Sequence, residues 1–381
     1  MVRIIPEADI SMVLAVEECV TVIEDLHRRL ADGEAMSTMM ETILTPVSDP
    51  PEGTTPPVYH GLRTMNGSIY GEDVATVRIS SDIIHWPDEG SGRVRKKLPV
   101  TDGQYNGFVI LFGTNTGEPL AIFPDAIVPH LRVGATSALA AKSMANEDAS
   151  RLGVLGAGWQ ARSHVPALDH VLDLDTIEIY SPTPDSRETF AAEMKTAVDA
   201  DVTAVAEPRE VFRDADVVQC VTNATTPIFE MDWVEEGTHV TIIRLAEAPR
   251  ELFDLSVVDG FATNWPPNLV QHEMYGNRLQ RREINAWVWN NYAIETDEPV
   301  PKLEWFEEVE AVLDWDTIPT LAEILAGDAP GRTGHDDVTG FFTCAVGVDF
   351  TAVGNRLYEV AEAGDLGRSL PLDLFSQDHH P

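Results

Sequence analysis

Residues 153–161 constrain this chain more than any other stretch. They read Gly153-Val154-Leu155-Gly156-Ala157-Gly158-Trp159-Gln160-Ala161, an apolar run leading into glycines spaced G-x-G-x-x-A, with a helical pattern after them. The first glycine of such a turn allows a tight reversal, the second lets the backbone approach a pyrophosphate, and Ala161 lets the following helix pack close to the sheet. Free N–H groups and the dipole at the helix start favour the anion. Gly156, Ala157, Gly158, Trp159, Gln160 and Ala161 are therefore candidate dinucleotide-binding residues. Pro166 removes one hydrogen bond from the same helix and should kink it.

The surrounding sequence has the texture this turn needs. Strand-like runs fall at 152–156, 176–180, 202–206, 216–221 and 238–243, with a helical pattern over 184–198. That alternation argues for a parallel sheet with helices on both faces. The second run ends in Tyr180-Ser181-Pro182-Thr183-Pro184-Asp185-Ser186-Arg187. An NAD site usually carries an acidic residue at this end. Ser181 stands there instead; Ser181 and Thr183 can donate to a 2′-phosphate and Arg187 supplies charge. The pattern points to NADP, with NAD possible, and a helix cap beside an exposed arginine is the plainer alternative. Thr222 and Asn223 follow the fourth run, where the loop would pass the cofactor.

The first third reads as α+β. Ile10, Val13, Leu14, Val16, Val20, Ile23, Leu26 and Leu30 recur at helical spacing before Gly33. Residues 45–57 are a proline-rich loop, 74–79 a strand, and 107–112 with 119–123 a hairpin around Asn115-Thr116-Gly117. Ala135 to Ala145 is a helix rich in small residues, and a last helix spans about 344–364. The Trp-rich stretch 265–320 resists assignment.

Composition bounds the function. A length of 381 residues suggests two domains at roughly 150 residues each. No apolar run approaches the ~20 residues of a membrane span, and Met1 to Glu7 lacks a signal-peptide core, so a cytoplasmic location is expected. Asp and Glu number 63 against 26 Lys and Arg, a net charge of −37. That field repels phosphate backbones and anionic lipid, which disfavours nucleic-acid and membrane-surface roles. Only five lysines are present; a potassium-rich cytoplasm or a codon bias toward Arg and Asp would each account for this. Cys19, Cys220 and Cys344 are far apart, and His60, His85, His130 and His164 lack ligand spacing, so no metal site is expected.

Several segments together resemble the ornithine cyclodeaminase/mu-crystallin family. Leu131-Arg132-Val133-Gly134-Ala135-Thr136-Ser137-Ala138-Leu139-Ala140-Ala141-Lys142 is similar to its R-t-a-a-x-S-a-L-A-A-K segment, and the glycine turn follows at the family's spacing. Gly237-Thr238-His239-Val240 is similar to its G-T-H-I piece, and Gly331-Arg332-Thr333 with Asp337-Val338-Thr339 to its G-R-t…D/E-I-T segment. The similarity covers most of residues 60–360, in order.

The resemblance implies an α/β fold in which a Rossmann dinucleotide-binding domain, residues 149–320, is inserted into an α+β substrate-binding and dimerisation domain formed by both chain ends, 1–148 and 321–381. It implies an NAD(P)-dependent imine or amino-acid oxidoreductase. Hydride would pass between nicotinamide and a carbon bearing nitrogen and carboxylate, in a homodimer. The alternatives are a cyclodeaminase-like ammonia-lyase with tightly bound NAD, or a non-catalytic protein holding NADPH and a small ligand. The implied catalytic residues are Arg132, for a substrate carboxylate, Arg78 and Glu247. Arg78 stands where the family has a strand lysine; it can fork onto a carboxylate but cannot act as a base. An arginine expected near residue 40 is replaced by Ser37-Thr38-Met39-Met40-Glu41. The family's aspartate after G-T-H falls at Leu245-Ala246, with Glu247 one place later as a candidate acid or base. Arg63 is a further candidate, equally readable as structural.

Overall fold

A computed structural model describes all residues except 11–13, 39, 88–94, 101, 266–291, 294–308, 310, 316, 345 and 380–381. Val13, Met39 and most of the Trp-rich stretch therefore lie outside the described residues. The chain opens with β1 (Val2–Ile4), the single turn α1 (Glu7–Ile10) and α2 (Val16–Ala31). Strands β2 (Ala35–Ser37), β3 (Glu41–Pro46), β4 (Val58–Ile69), β5 (Val74–His85), β6 (Lys96–Leu98), β7 (Asn106–Gly113) and β8 (Pro119–Pro124) precede α3 (Ile127–Met144). Next come β9 (Arg151–Leu155), α4 (Ala161–Val171), β10 (Thr176–Tyr180), α5 (Pro184–Met194), β11 (Asp201–Ala204), β12 (Val217–Cys220), β13 (His239–Ile242) and β14 (Gly260–Thr263). The last elements are β15 (Tyr292–Ala293), α6 (Leu321–Ala326), β16 (Thr339–Phe342), α7 (Gly347–Gly364) and β17 (Arg368–Leu370).

Two sheets organise the molecule. The first runs β15-β3-β4-β5-β7-β8-β1-β17, with β2 beside β4 and β6 beside β5. It is antiparallel from β3 to β8, and the expected hairpin is β7–β8. Residues alternate across it: Arg63, Met65, Thr76 and Ser80 are buried, whereas Leu62 is exposed and Thr64, Val77 and Ile79 are half-buried. Helix α7 covers the inner face, where Thr351 and Thr76 share a hydroxyl hydrogen bond of 2.7 Å and the Gly347 amide donates to Ser37 Oγ at 2.9 Å.

The second sheet is parallel throughout, in the order β11-β10-β9-β12-β13-β16-β14. Its first five strands in sequence, β9 to β13, take the 3-2-1-4-5 order of a doubly wound fold. Strand β16 lies between β13 and β14, so residues 339–342 belong to this sheet, whereas the sequence reading grouped everything after 320 with the other domain. The difference follows from burial: Thr-Gly-Phe-Phe is a short, wholly buried strand whose backbone can be satisfied only by neighbours far away in sequence. Strand β9 is crowded at its centre. A Cβ on Gly153 would sit 1.9 Å from the Val211 carbonyl oxygen, so only glycine fits.

Helix α3 joins the two sheets. It starts earlier than the sequence pattern suggests, at Ile127, and is buried along most of its length. Its small residues let α4 and α2 pack against it. The final helix ends as expected at Gly364, with Asp365 rather than a glycine taking the left-handed conformation (φ 50°). Among the described residues, no helix is long and apolar enough to cross a membrane.

Candidate functional site

The glycine turn lies at the carboxyl edge of the parallel sheet, between β9 and α4. Gly156 has φ +121°, and a Cβ there would meet the Val221 carbonyl oxygen at 2.6 Å, so the turn excludes a side chain both by conformation and by space. Its amide donates to the Tyr180 carbonyl at 2.9 Å, tying it to the end of β10. Around Gly158 the opposite holds: a Cβ would meet nothing within 4 Å among the described residues. This is the approach a pyrophosphate needs. Ala161 is fully buried where α4 meets the sheet.

Arg162, absent from the sequence reading, braces this turn. Its Nη1 donates to the Gly158 and Ala157 carbonyls at 2.9 and 3.5 Å, and its Nη2 pairs with Glu193 at 2.8 Å. Its position directly after the G-x-G-x-x-A run is the signal that could have found it. Trp159 is 59% exposed yet docked, its ring stacked 4.2 Å from that of His130 on α3. Burial, with the Arg162 charge, pushes His130 down to about 4, so its ring stays neutral.

At the end of β10, the Arg187 Nη1 donates to the Ser181 carbonyl at 3.0 Å, and its guanidinium lies 5.8 Å from the Tyr180 ring centroid. Thr183 precedes α5 but its side chain makes no capping bond. The Arg187 amide also donates to the Thr183 carbonyl at 3.2 Å, so Arg187 is tied to the main chain on either side of Pro182.

Thr222 and Asn223 leave β12 beside the turn. The Thr222 amide donates to Glu247 Oε1, and Glu247 Oε2 accepts from the Ile243 and Arg244 amides at 3.3 and 3.2 Å. Glu247 has no solvent exposure. Burial pushes its carboxyl up to about 7, against the pull of the amides and of Arg244. It ties the ends of β12 and β13 together, and its oxygens are committed to the main chain.

The two arginines expected to hold substrate meet at one ring. Each guanidinium carbon lies 5.4 Å from the Phe350 centroid. Arg132 reaches from α3 to the end of β16, where its Nη1 donates to the Cys344 carbonyl at 3.1 Å and to Asp349 Oδ2 at 3.0 Å. Arg132 Nε and Asp349 Oδ1 are buried without a hydrogen-bond partner among the described residues. Burial raises the Asp349 carboxyl to about 6, with Arg132 pulling it down. Arg78 on β5 bonds Asp125 Oδ2 through Nε at 2.7 Å and Nη2 at 2.6 Å. Both cations therefore already carry an acidic partner; for Arg132 a structural pairing with one of the 63 acids was the plainer alternative, and Asp349 is that acid.

Two other segments prove architectural. His239 uses both ring nitrogens within the sheet, on Thr339 at 2.8 Å and Thr241 at 3.0 Å, and burial pushes it down to about 3. Arg332 donates to the carbonyls of Met144, Gly237, Gly334 and His335 at 2.8–3.2 Å. A cavity of about 450 Å³ beside it is lined by Phe261, Glu323 and Thr339. Gly260 and Thr339, the first residues of β14 and β16, line it on the edge opposite the glycine turn.

The glycine turn after β9 and the Arg132 guanidinium after β16 thus lie at the same carboxyl edge of the parallel sheet. The sequence model of the ornithine cyclodeaminase/mu-crystallin family matches residues 100–365, and the chain belongs to that family. It is 30% identical over 266 residues to a Delta(1)-pyrroline-2-carboxylate reductase of Bacillus cereus, covering 70% of this chain and 74% of that one. Alanine dehydrogenase of Archaeoglobus fulgidus is 26% identical over 287 residues, 75% of this chain and 79% of its own. Thermococcus litoralis Delta(1)-pyrroline-2-carboxylate reductase, solved with NADH and L-proline, has a TM-score of 0.72 at 20% identity, over 97% of this chain and all of that one. The chain is an NAD(P)-dependent oxidoreductase of the class acting on carbon–nitrogen bonds.

Proposed function

We propose that this protein reduces the C=N bond of a 2-imino carboxylate with NADPH, or runs the reverse oxidation of the amino acid. One observation carries the reading: the glycine turn and Arg132 lie at the same carboxyl edge of the parallel sheet, the turn after β9 and Arg132 on Cys344 after β16. The bound nicotinamide would supply or accept hydride. The turn suits the cofactor: among the described residues nothing stands within 4 Å of a Cβ at Gly158, which leaves room for a pyrophosphate, and Thr222, followed by Asn223, borders the turn at Gly156. Ser181, Thr183 and Arg187 suit a 2′-phosphate, which favours NADP over NAD.

The unspent Nε of Arg132 is the group that would take the substrate carboxylate, with Asp349 holding the guanidinium in place. Arg78 and Phe350 would wall the same space. A charge-assisted contact of this kind fixes the neighbouring carbon in orientation. An iminium already carries its proton, so reduction asks little of an acid. That suits a site in which Glu247 acts as a positioning residue for the cofactor loop rather than as the acid or base. Elimination of ammonia would need a free base, which disfavours the cyclodeaminase reading.

The outer face of the antiparallel sheet supports a homodimer. Ile43 (51% exposed) stands opposite Leu62 (37%), and Phe108 (40%) opposite Ile79, a contiguous apolar surface that a second copy would cover. Three buried, unpaired cysteines suit the cytoplasm. The test is to mix the protein with NADPH, ammonia or methylamine and a panel of 2-oxo acids, and follow nicotinamide absorbance. Cofactor consumption is expected; ammonia release from a diamino acid without net redox, or tight NADPH binding with no turnover, would overturn the reading.

A further inference from the structure

The inner face of the antiparallel sheet carries a row of polar groups that the proposed reaction does not use. In register across three strands stand Thr42 on β3, Arg63 on β4 and Ser80 on β5. All three are at most 5% exposed. Thr42 Oγ1 and Ser80 Oγ have no hydrogen-bond partner among the described residues. Buried hydroxyls left unpaired are costly, and both stand in register with Arg63, whose guanidinium reaches along the sheet to Asp82 beside Gly61.

The charges at this end also differ from those at Phe350. Arg132 with Asp349, and Arg78 with Asp125, are one-to-one pairs. Asp82, by contrast, carries two cations on a single oxygen, Arg63 Nη1 at 2.6 Å and Lys97 Nζ at 3.0 Å. The charged groups acting on Arg63 are Asp82, in its favour, and Arg78, against it. Among the described residues, one positive charge is thus in excess around Asp82. Arg63 and Arg78 are diagonal neighbours on the inner face, since Arg63 faces Ser80 and Arg78 faces Met65. The row therefore lies on the same face as Arg78, at the next pair on that face along β4 and β5.

We propose that Thr42, Arg63 and Ser80 form a subsite for a second carboxylate, at the far end of the substrate, so that the preferred substrates are dicarboxylic 2-imino or 2-amino acids. A single excess positive charge with two hydroxyl donors in register matches one carboxylate in charge and in hydrogen-bonding capacity. Arg63 here supplies, from the adjacent strand, the cation that the sequence lacks near residue 40. The inference rests on the reaction proposed above, and the experiment separates the two.

Two 2-oxo acids of equal length, 2-oxoglutarate and 2-oxopentanoate, are compared with ammonia and NADPH. The wild type should favour the dicarboxylate by about tenfold or more in kcat/KM, the worth of one charge-assisted contact. Arg63→Met should bring that ratio close to one, Arg63→Lys should restore part of it, and Ser80→Ala or Lys97→Ala should lower it a few-fold without threatening the fold. Preference for the monocarboxylate, or an equal loss on both substrates in Arg63→Met, overturns the subsite. In parallel, the NADP-loaded protein is titrated calorimetrically with glutarate and with pentanoate. If neither oxo acid is reduced, the reaction is wrong; tighter glutarate binding that is lost in Arg63→Met and Ser80→Ala still upholds the subsite, and equal binding of the two acids removes it.

Discussion

The two ends of the proposed site are built from different materials. At the dinucleotide end the groups proposed to face the ligand are largely main chain: the turn after Gly156 and the start of α4, braced by Arg162 on the Ala157 and Gly158 carbonyls. At the substrate end they are side chains in ion pairs, Arg132 with Asp349 and Arg78 with Asp125, gathered on Phe350. A main-chain site is fixed by local conformation and tolerates variation in most side chains around it. A site made of buried ion pairs depends on each partner, because removing one leaves an uncompensated charge.

The largest effect should come from breaking a pair. Arg132→Ala should abolish turnover, leave NADPH affinity nearly unchanged, and cost about 3–5 kcal/mol of stability as Asp349 loses its partner. The double variant Arg132→Ala/Asp349→Ala should recover part of that stability in urea unfolding but none of the turnover. Normal turnover in either variant would show that the carboxylate clamp is misassigned. Next comes the main-chain end. Gly156→Ala forces a side chain into φ +121° against the Val221 carbonyl, and should weaken NADPH binding by about 100-fold. Unchanged affinity by fluorescence titration would mean that the cofactor does not use this turn.

A smaller effect tests the exception at the dinucleotide end, where side chains do decide. Charge-assisted contacts to a phosphate are worth about 1.5–3 kcal/mol, so NADPH should bind at least tenfold more tightly than NADH, and Arg187→Ala should erase most of the difference. Tighter NADH binding by the wild type would reverse the assignment.

The smallest effect concerns Glu247, which joins the ends of β12 and β13. Its carboxyl lies at about 7 in the folded chain, above its ordinary 4.5. A raised value means that the native state holds the proton more tightly than the unfolded chain does. The associated stability is complete below about pH 4.5 and is lost as pH rises through about 7. Glu247→Gln cannot lose a proton. Urea midpoints should therefore fall more for the wild type than for Glu247→Gln between roughly pH 5 and 8. Parallel profiles would mean that this carboxyl is ionised throughout.

How much of this was legible in advance differs between the two ends for the same reason. The strands from β9 to β13 and the turn at Gly156 to Ala161 follow from short-range patterns, because apolar runs and glycine spacing act within a few residues. The start of α3 at Ile127 and the place of β16 did not follow, since both depend on packing against distant elements. Arg78 and Arg132 could be singled out, through a resemblance, but not the acids that hold them.

What the sequence determined by itself is the dinucleotide turn, the alternation that makes the parallel sheet, and the absence of an acid at the end of β10. Each is a local property of backbone conformation or side-chain order. Only the tertiary structure decided that Arg78 meets an aspartate 47 residues away and Arg132 one 217 residues away. It also decided that Glu247 spends its carboxylate on the Thr222 amide, 25 residues earlier in the chain. No pattern along the chain says which of 63 acidic residues will face a given arginine. Strand register across β4, β5 and β7 and the packing of α3 and α7 on that sheet choose the partner, and burial then makes the choice costly to undo.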